Sequence, residues 1–419
     1  MSADSSNETA PAKPRVWMLN QWLPPDPAPT AVLCGEVIDL LRAEGFEVVL
    51  LSRARGADVL PAGDNDSVKR IVIDRLSHGP IGILAKLASW PTFAWRAWRV
   101  LRREWLPGDL VIVCSDPPLF YPLAIAAARR AGAKTIHWSQ DVYPDVVQRY
   151  WPSRWLALAL APLRWLRNAA LRRADQVVVI SAGMGRLMQA AGARTTLIPN
   201  WGRDDRIRPR DLGDSALRRR HFADDDFVLA YSGNLGRVHE FDTLIAAAHQ
   251  LRANPKIKFL IVGSGPRLAM LQAIVATERL GSFTFLPLQP ESELADTLAA
   301  GDMHYVSLRP EFEGLVLPSK IYSIASVGRG MVFCGDPDGE SASLVKENGA
   351  GVAIEAGKGR ELAAVIAELA QNKARCAEYG AKARAMIERH YSRDGALANW
   401  KSLLRRLVAA DANSLPPLE

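Results

Sequence analysis

Short apolar runs alternate with amphipathic stretches along the chain, and the alternation starts twice. Residues 15–19 form a first strand, which ends in the Pro-rich loop NQWLPPDPAPT. A helical pattern follows over residues 31–44 and stops at Gly45. Further strands are expected at 46–51, 71–73, 109–114, 134–138, 176–181 and 196–198, with helices running to Arg130 and over 183–192. Strand followed by helix, with Pro and Gly at the strand ends, predicts a doubly wound α/β sheet. The segment RPRDLGDSALRRR, residues 208–220, is polar and reads as a linker. The pattern then restarts with strands at 227–232, 257–262, 283–286, 303–308, 330–334 and 351–354, and a helix at 241–252. Helices over 359–369, 373–390 and 394–410 close the chain. The expected division is a disordered tail (1–14), a first Rossmann-like domain (15–212), a second (213–393), and a last helix with its tail (394–419). Two such sheets imply a cleft, with ligands at the carboxyl ends of the strands.

The loops at those strand ends carry the candidate chemistry. EFEGLVLPSKIYSIASVGRG, residues 311–330, sets Glu313 and Gly314 before an apolar run and then Pro318, Ser319 and Lys320 at an expected helix start. Pro in a first helical turn is pre-organised, and the free N–H groups there attract anions. Lys320 adds positive charge, so the pattern suits a sugar diphosphate, with the carboxylate on the sugar and the helix end on the phosphates. GNLGR follows the strand at 227–232 and puts Gly233, Asn234, Arg237 and the nearby His239 within reach of one anion. Taken alone, such a Gly-rich turn is a weak signal. IVGSGP, with Gly263 and Gly265, lets backbone approach a ligand closely. HWSQDVYPD brings His137, Asp141 and Asp145 onto or beside one loop. A lone His at a strand end is more often structural than catalytic, but the cluster points Asp141 at the cleft.

The 419 residues exceed one ordinary core and fit two domains. At 48% hydrophobic and 23% charged the composition is that of a soluble protein. Cys34, Cys114, Cys334 and Cys376 form no C-x-x-C pair and read as buried thiols in a reducing compartment. No His/Cys cluster has metal spacing. The N-terminus is polar, without the apolar core of a signal peptide. The apolar run 155–163 is too short for a membrane span, so a cytoplasmic protein is expected. Residues 1–212 hold 28 Lys/Arg against 20 Asp/Glu, a net +8, whereas 213–419 hold 24 against 25, a net −1. The basic half also concentrates tryptophan. Trp90, Trp95, Trp98 and Trp105 interleave with Arg96, Arg99, Arg102 and Arg103, and Trp151, Trp155 and Trp165 with Arg154, Arg164, Arg167, Arg172 and Arg173. Such mixtures in amphipathic helices favour an anionic lipid surface. Nucleic acid is the rival partner for basic and aromatic patches, but no nucleic-acid module motif is present.

In order, these loops resemble those of family 4 glycosyltransferases, from Val16 to Leu407. EGLVLPSK is similar to a second-domain signature E-G-x-x-x-P-S-K. The resemblance implies a second Glu on the ribose hydroxyls, where this chain has Ile321 or Ser323. GNLGRVHE is similar to G-R-L-x-x-x-K-G, with Asn234 and His239 at the two cation positions and Arg237 inside the loop. VGSGP resembles the V-G-x-G-P of the nucleotide site, and FLPLQPE the loop that touches the base through the backbone of Leu288 and Gln289. HWSQDVYP is very similar to a motif of polysaccharide-assembly relatives, which implies Asp141 as an acceptor-side base with His137 beside it. NQWLPPDPAPT resembles a first-domain loop facing acceptor and donor phosphates, with Asp26 and Thr30 as its polar members.

The resemblance implies a GT-B fold, two Rossmann-like domains facing a cleft with the last helix crossing back to the first. It implies retaining transfer from a nucleotide-diphospho-sugar, with no cofactor and no bound metal. Glu313 and Asp141 are then the catalytic candidates. Gly233, Asn234, Arg237, Pro318, Ser319 and Lys320 would hold the diphosphate, and Gly263, Gly265, Leu288, Gln289 and Ser323 the nucleotide. UDP-sugars are the first expectation for the donor, UDP-N-acetylhexosamines above others, and GDP-mannose is next. The Trp/Arg helices suit a polyprenyl-diphosphate-linked saccharide acceptor at the inner face of the cell membrane, in exopolysaccharide, capsule or O-antigen assembly. A sugar-nucleotide epimerase of the same fold and a catalytically silent partner of a transferase are the alternatives.

Overall fold

The computed structural model describes residues 14–26, 28–55, 68–76, 83–118 and 120–412. The expected tail, apart from Pro14, lies outside these residues. Seven strands, β1 (Val16–Leu19), β2 (Val48–Arg55), β3 (Val68–Leu76), β4 (Leu110–Cys114), β5 (Lys134–Ser139), β6 (Gln176–Val179) and β7 (Thr195–Leu197), build the first sheet. It is parallel throughout, in the order β3-β2-β1-β4-β5-β6-β7. Six more, β8 (Phe227–Asn234), β9 (Ile257–Ser264), β10 (Phe283–Leu286), β11 (Met303–Ser307), β12 (Gly330–Gly335) and β13 (Gly351–Glu355), form a second parallel sheet, ordered β10-β9-β8-β11-β12-β13. In each sheet the winding reverses beside the first strand. The loops after β1, β4, β8 and β11 therefore open at the two switch points, where such sheets bind ligands.

The central strands are apolar runs because helices cover both faces. Val16 and Met18 point to one side, under helices Pro29–Ala43 and Arg393–Ala412. Trp17 and Leu19 point to the other, under helices Ile83–Glu104, Tyr121–Arg130 and Arg154–Arg173. The last helix thus crosses back to the first sheet. It buries Trp400 edge-on against Trp138, ring centroids 4.8 Å apart, and sets Lys401 and Arg405 on Glu44.

The segment 208–220 is more than a linker. It contains a 3-10 turn and the start of helix Ala216–His221, capped by Ser215, whose Oγ accepts the N–H of Arg218 at 3.1 Å. Arg218 is buried, ion-paired with Asp302 at 2.8 Å, and donates to the carbonyls of Ala300 and Asp226. A run of arginines reads as solvated unless the buried carboxylate that pairs with one of them is known.

The chain crosses between the sheets twice, and the crossings are bonded to each other. Gly202 N–H donates to Tyr391 O at 2.8 Å, and Arg393 N–H to Asp204 Oδ1 at 3.1 Å. Across the cleft, Val142 N–H donates to Leu315 O at 3.1 Å. The Glu340 carboxylate accepts the N–H groups of Ala182 and Gly183 at 2.6 and 2.7 Å, at the start of helix Ala182–Ala190. All four cysteines are free and buried. Cys34 and Cys114, distant in sequence, bring their sulfurs to 3.8 Å.

Candidate active site

A cavity of ≈ 520 Å³ lies between the sheets. The first domain lines it with Glu36, Asp141, Tyr143, Asn200 and Arg203. The second contributes the loop after β8, the loop after β10 and the turn leading into helix Lys320–Ser326. Sequence separations of more than 80 residues thus close into one wall, as in the contact between Lys320 and Tyr231.

Lys320 is its central charge. Its Nζ donates to Tyr231 Oη at 2.6 Å, lies 3.2 Å from His239 Nε2, and sits 3.9 Å over the Tyr231 ring. His239 Nδ1 is 2.6 Å from Ser307 O, so that nitrogen carries the hydrogen and Nε2 turns its lone pair to the ammonium. Burial, and next the Lys320 charge, push the His239 pKa down to about 3, so the ring is neutral. Burial pushes the Lys320 pKa down to about 7. No carboxylate forms an ion pair with Lys320 among the described residues. An ammonium held by neutral groups in a half-buried pocket is an anion receptor.

Gly233, Asn234 and Arg237 line the cavity on the same side, Arg237 with its side chain exposed. Gly263 and Gly265 do not line it; they seat this loop. A Cβ on Gly263 (φ 157°) would meet Gly233 O at 1.9 Å, and one on Gly265 (φ 139°) would meet Asn234 Oδ1 at 2.6 Å. The close approach read from VGSGP is thus to the neighbouring loop. Pro318 and Ser319 line the cavity, but Pro318 precedes a helix that begins at Lys320 and has only seven residues. The charge of Lys320, rather than a long helix end, therefore dominates. Leu288, Gln289 and Ser323 also face the cavity.

Asp141 lines the first-domain wall. Ser115 Oγ, from the SDPP turn, accepts the N–H groups of Gln140 and Asp141 at 2.8 and 3.2 Å. Gln140 and Asn200 exchange amide hydrogen bonds at 3.0 and 3.2 Å. Burial raises the Asp141 pKa to about 6. Asp145 instead pairs with Arg164 and Arg167. His137 does not reach the acceptor side. Strand β5 buries it under Tyr121, with Nδ1 2.9 Å from Val113 O, and burial lowers its pKa to about 4. Asp26 closes its own turn, accepting Ala28 N–H at 2.9 Å, and Thr30 stands in the first turn of the next helix; neither lines the cavity.

Glu313 lies off the cavity wall, beside the turn at Gly339. Its Oε1 accepts Ser341 N–H at 3.3 Å, and its Oε2 is buried without a hydrogen-bond partner. Burial raises its pKa, opposed by the N–H groups of Ser341 and Glu340. The seating roles of Tyr231 and His239 escaped sequence reading: Tyr231 reads as part of the strand FVLAYS without a role of its own, and His239 as within reach of the anion rather than against Lys320.

This arrangement is that of a GT-B glycosyltransferase. A sucrose-phosphate synthase from Thermosynechococcus elongatus has the same fold, with a TM-score of 0.73 at 19% identity over 95% of this chain and 100% of that one. Anabaena HepE, solved in complex with UDP-glucose, has it too, with a TM-score of 0.68 at 19% identity over 96% and 100%. The family model for glycosyltransferase family 4 matches residues 30–205, and that for glycosyl transferases group 1 matches residues 214–386. The Escherichia coli protein WcaI, named for colanic acid biosynthesis, is 28% identical over 357 residues, covering 76% of this chain and 83% of WcaI. The chain belongs to the family 4, group 1 glycosyltransferases.

Proposed function

We propose that this glycosyltransferase moves a hexosyl or N-acetylhexosaminyl group from a UDP-sugar to a polyprenyl-diphosphate-linked saccharide, with retention, in the assembly of a bacterial surface polysaccharide. The observation that carries the reading is Lys320, an ammonium seated on Tyr231 and His239 and turned to a cavity large enough for a nucleotide. Lys320 and Arg237 balance the charge that develops on the diphosphate as its bond to the anomeric carbon breaks. The acceptor oxygen forms the new bond on the same face. Its proton passes to Asp141, held by Ser115, or to the departing phosphate oxygen. Glu313, which lies beside the cavity rather than on its wall, keeps the role toward the sugar and its developing positive charge only as the family resemblance implies it. The polysaccharide role is supported by the likeness to WcaI, and UDP by the fold shared with HepE.

The outer helices support a lipid-borne acceptor. Trp155 and Trp165 are 68% and 69% exposed, and Trp95, Trp151, Leu158 and Leu166 are exposed with them. They lie on the same layer as exposed Arg96, Arg99, Arg154, Arg172 and Arg173. Trp105 is buried in the core, and Arg164 and Arg167 turn inward to Asp145, so the surface is narrower than the sequence suggested. The side chain of Trp90 lies outside the described residues. No helix among them is long and apolar enough to cross a membrane. This layer supports docking on the inner membrane face as part of the proposal.

The test is nucleotide release by purified protein with UDP-, GDP-, ADP- and dTDP-sugars, each with and without a lipid extract of the source cells. Release from a UDP-sugar only in the presence of extract is expected. Release from a GDP-sugar alone would replace the donor, and UDP binding without turnover on any extract would favour the silent partner.

A further inference from the structure

Three carboxylates line the cavity, Glu36, Asp141 and Glu291. Glu36 is engaged by Trp201 Nε1 at 2.7 Å and by Arg393 at 3.1 Å, and Asp141 stands on the first domain. Glu291 alone rises from the second domain, two residues beyond Gln289. Helix Lys320–Ser326 offers the cavity a hydroxyl, Ser323, while Ile321 is buried in the core. Arg203, on the first chain crossing, holds Glu291 by donating from Nη2 to Oε1. Arg203 is itself anchored to that helix, its N–H donating to Ser326 Oγ at 3.0 Å, about one turn beyond Ser323. The arginine side chain is 14% exposed and the glutamate 48%. A rim ion pair of this kind adds little stability, yet it fixes one carboxylate oxygen of a half-exposed side chain that lines the cavity.

A nucleotide has a fixed linear order of base, ribose and diphosphate. With the diphosphate at Lys320 and the base against the backbone of Leu288 and Gln289, the ribose falls between them. Its two hydroxyls need acceptors, and an oriented carboxylate is the strongest neutral-pH acceptor a side chain offers. We infer that Glu291, positioned by Arg203, accepts the ribose hydroxyls of the bound nucleotide. The inference rests on the nucleotide-sugar reading above and assigns that site's discrimination between ribose and deoxyribose.

The test is calorimetric binding of UDP and 2′-deoxy-UDP, and of GDP and 2′-deoxy-GDP, to the full chain and to Glu291→Gln, Arg203→Met and Arg203→Lys. The parent is expected to bind the ribonucleotide about 10–100-fold more tightly than its deoxy form, the range of a charge-assisted hydrogen bond. Glu291→Gln should remove most of that ratio while changing deoxynucleotide affinity by less than about threefold. Arg203→Met should lower the ratio and Arg203→Lys restore part of it, which a merely structural arginine would not do. Equal binding of ribose and deoxyribose forms by the parent, or an equal loss of both in Glu291→Gln, would overturn the inference and leave the nucleotide-sugar reading standing. Binding of no nucleoside diphosphate at all would overturn both.

Discussion

Replacing Lys320 by Met removes a charge and keeps nearly all of the side-chain volume. The charge is desolvated and has no carboxylate partner among the described residues, so the ligand-free fold holds it at a cost, as the pKa lowered to about 7 records. The variant should therefore melt at the same temperature or higher without ligand. Donor handling should move the other way. A unit charge about 4 Å from a phosphate oxygen, at the effective dielectric of a partly buried site, is worth roughly 4 kcal/mol, and a charge-assisted hydrogen bond about 1.5–3 kcal/mol. A loss of about 2–4 kcal/mol is expected, or about 30- to 1000-fold in kcat/KM for the donor. The pH dependence has a definite sign. Free Lys320 loses its proton above pH 7, and a bound diphosphate restores it, so binding takes up a proton and donor KM rises with pH above about 7. The assay is nucleotide release at pH 6 to 9, with thermal melting in the presence and absence of UDP. A variant within threefold of the parent in kcat/KM, or one destabilised without ligand, would refute the reasoning.

Other expectations concern single positions. Glu313→Ala should reduce kcat by about 100- to 1000-fold without change in the melting temperature, read by steady-state release. With Asp141 as base, kcat/KM should fall as pH drops below about 6, and Asp141→Asn should remove that acid limb. The same group affects stability with the opposite sign. Its folded pKa lies above the unfolded value of 3.8, so acid between those values favours the fold, and Asn should flatten that part of a melting-versus-pH curve. Trp155→Ser with Trp165→Ser should weaken sedimentation with anionic vesicles by roughly 100-fold, from about 1–2 kcal/mol of lost burial per ring. Turnover of a water-soluble acceptor should be unaffected.

Strands were easy to read because a doubly covered parallel sheet writes itself as apolar runs such as LVIVC, all five residues buried. Helix ends moved by a few residues, since apolar periodicity does not mark a cap. The loops that meet at the cavity were also legible, because Gly and Pro punctuate the switch points. What could not be read was which polar residues face inward. His137 and Asp141 are four positions apart, yet one is core and the other lines the cleft. Arg164 and Arg167 read as part of a lipid-facing surface, but both turn to Asp145. Glu291 closes the FLPLQPE motif, but only the backbone of Leu288 and Gln289 has an expected role there; its interest comes from Arg203, 88 residues away.

The return of the last helix to the first sheet has a consequence for how the molecule can be cut and how it can bend. In covalent order the second domain is an insert within the first, entered near Gly202 and left near Tyr391, and the two passages are bonded side by side. Two passages placed side by side form one compact hinge region, a few residues that would absorb any change in domain angle. Opening the cleft about these passages would have to break the hydrogen bonds from Ala182 and Gly183 to Glu340. A chain ending before Arg393 would lose more than a terminal appendage: it would lack one of the two helices on the Val16 and Met18 side of the first sheet, and Trp138 would lose its contact with Trp400.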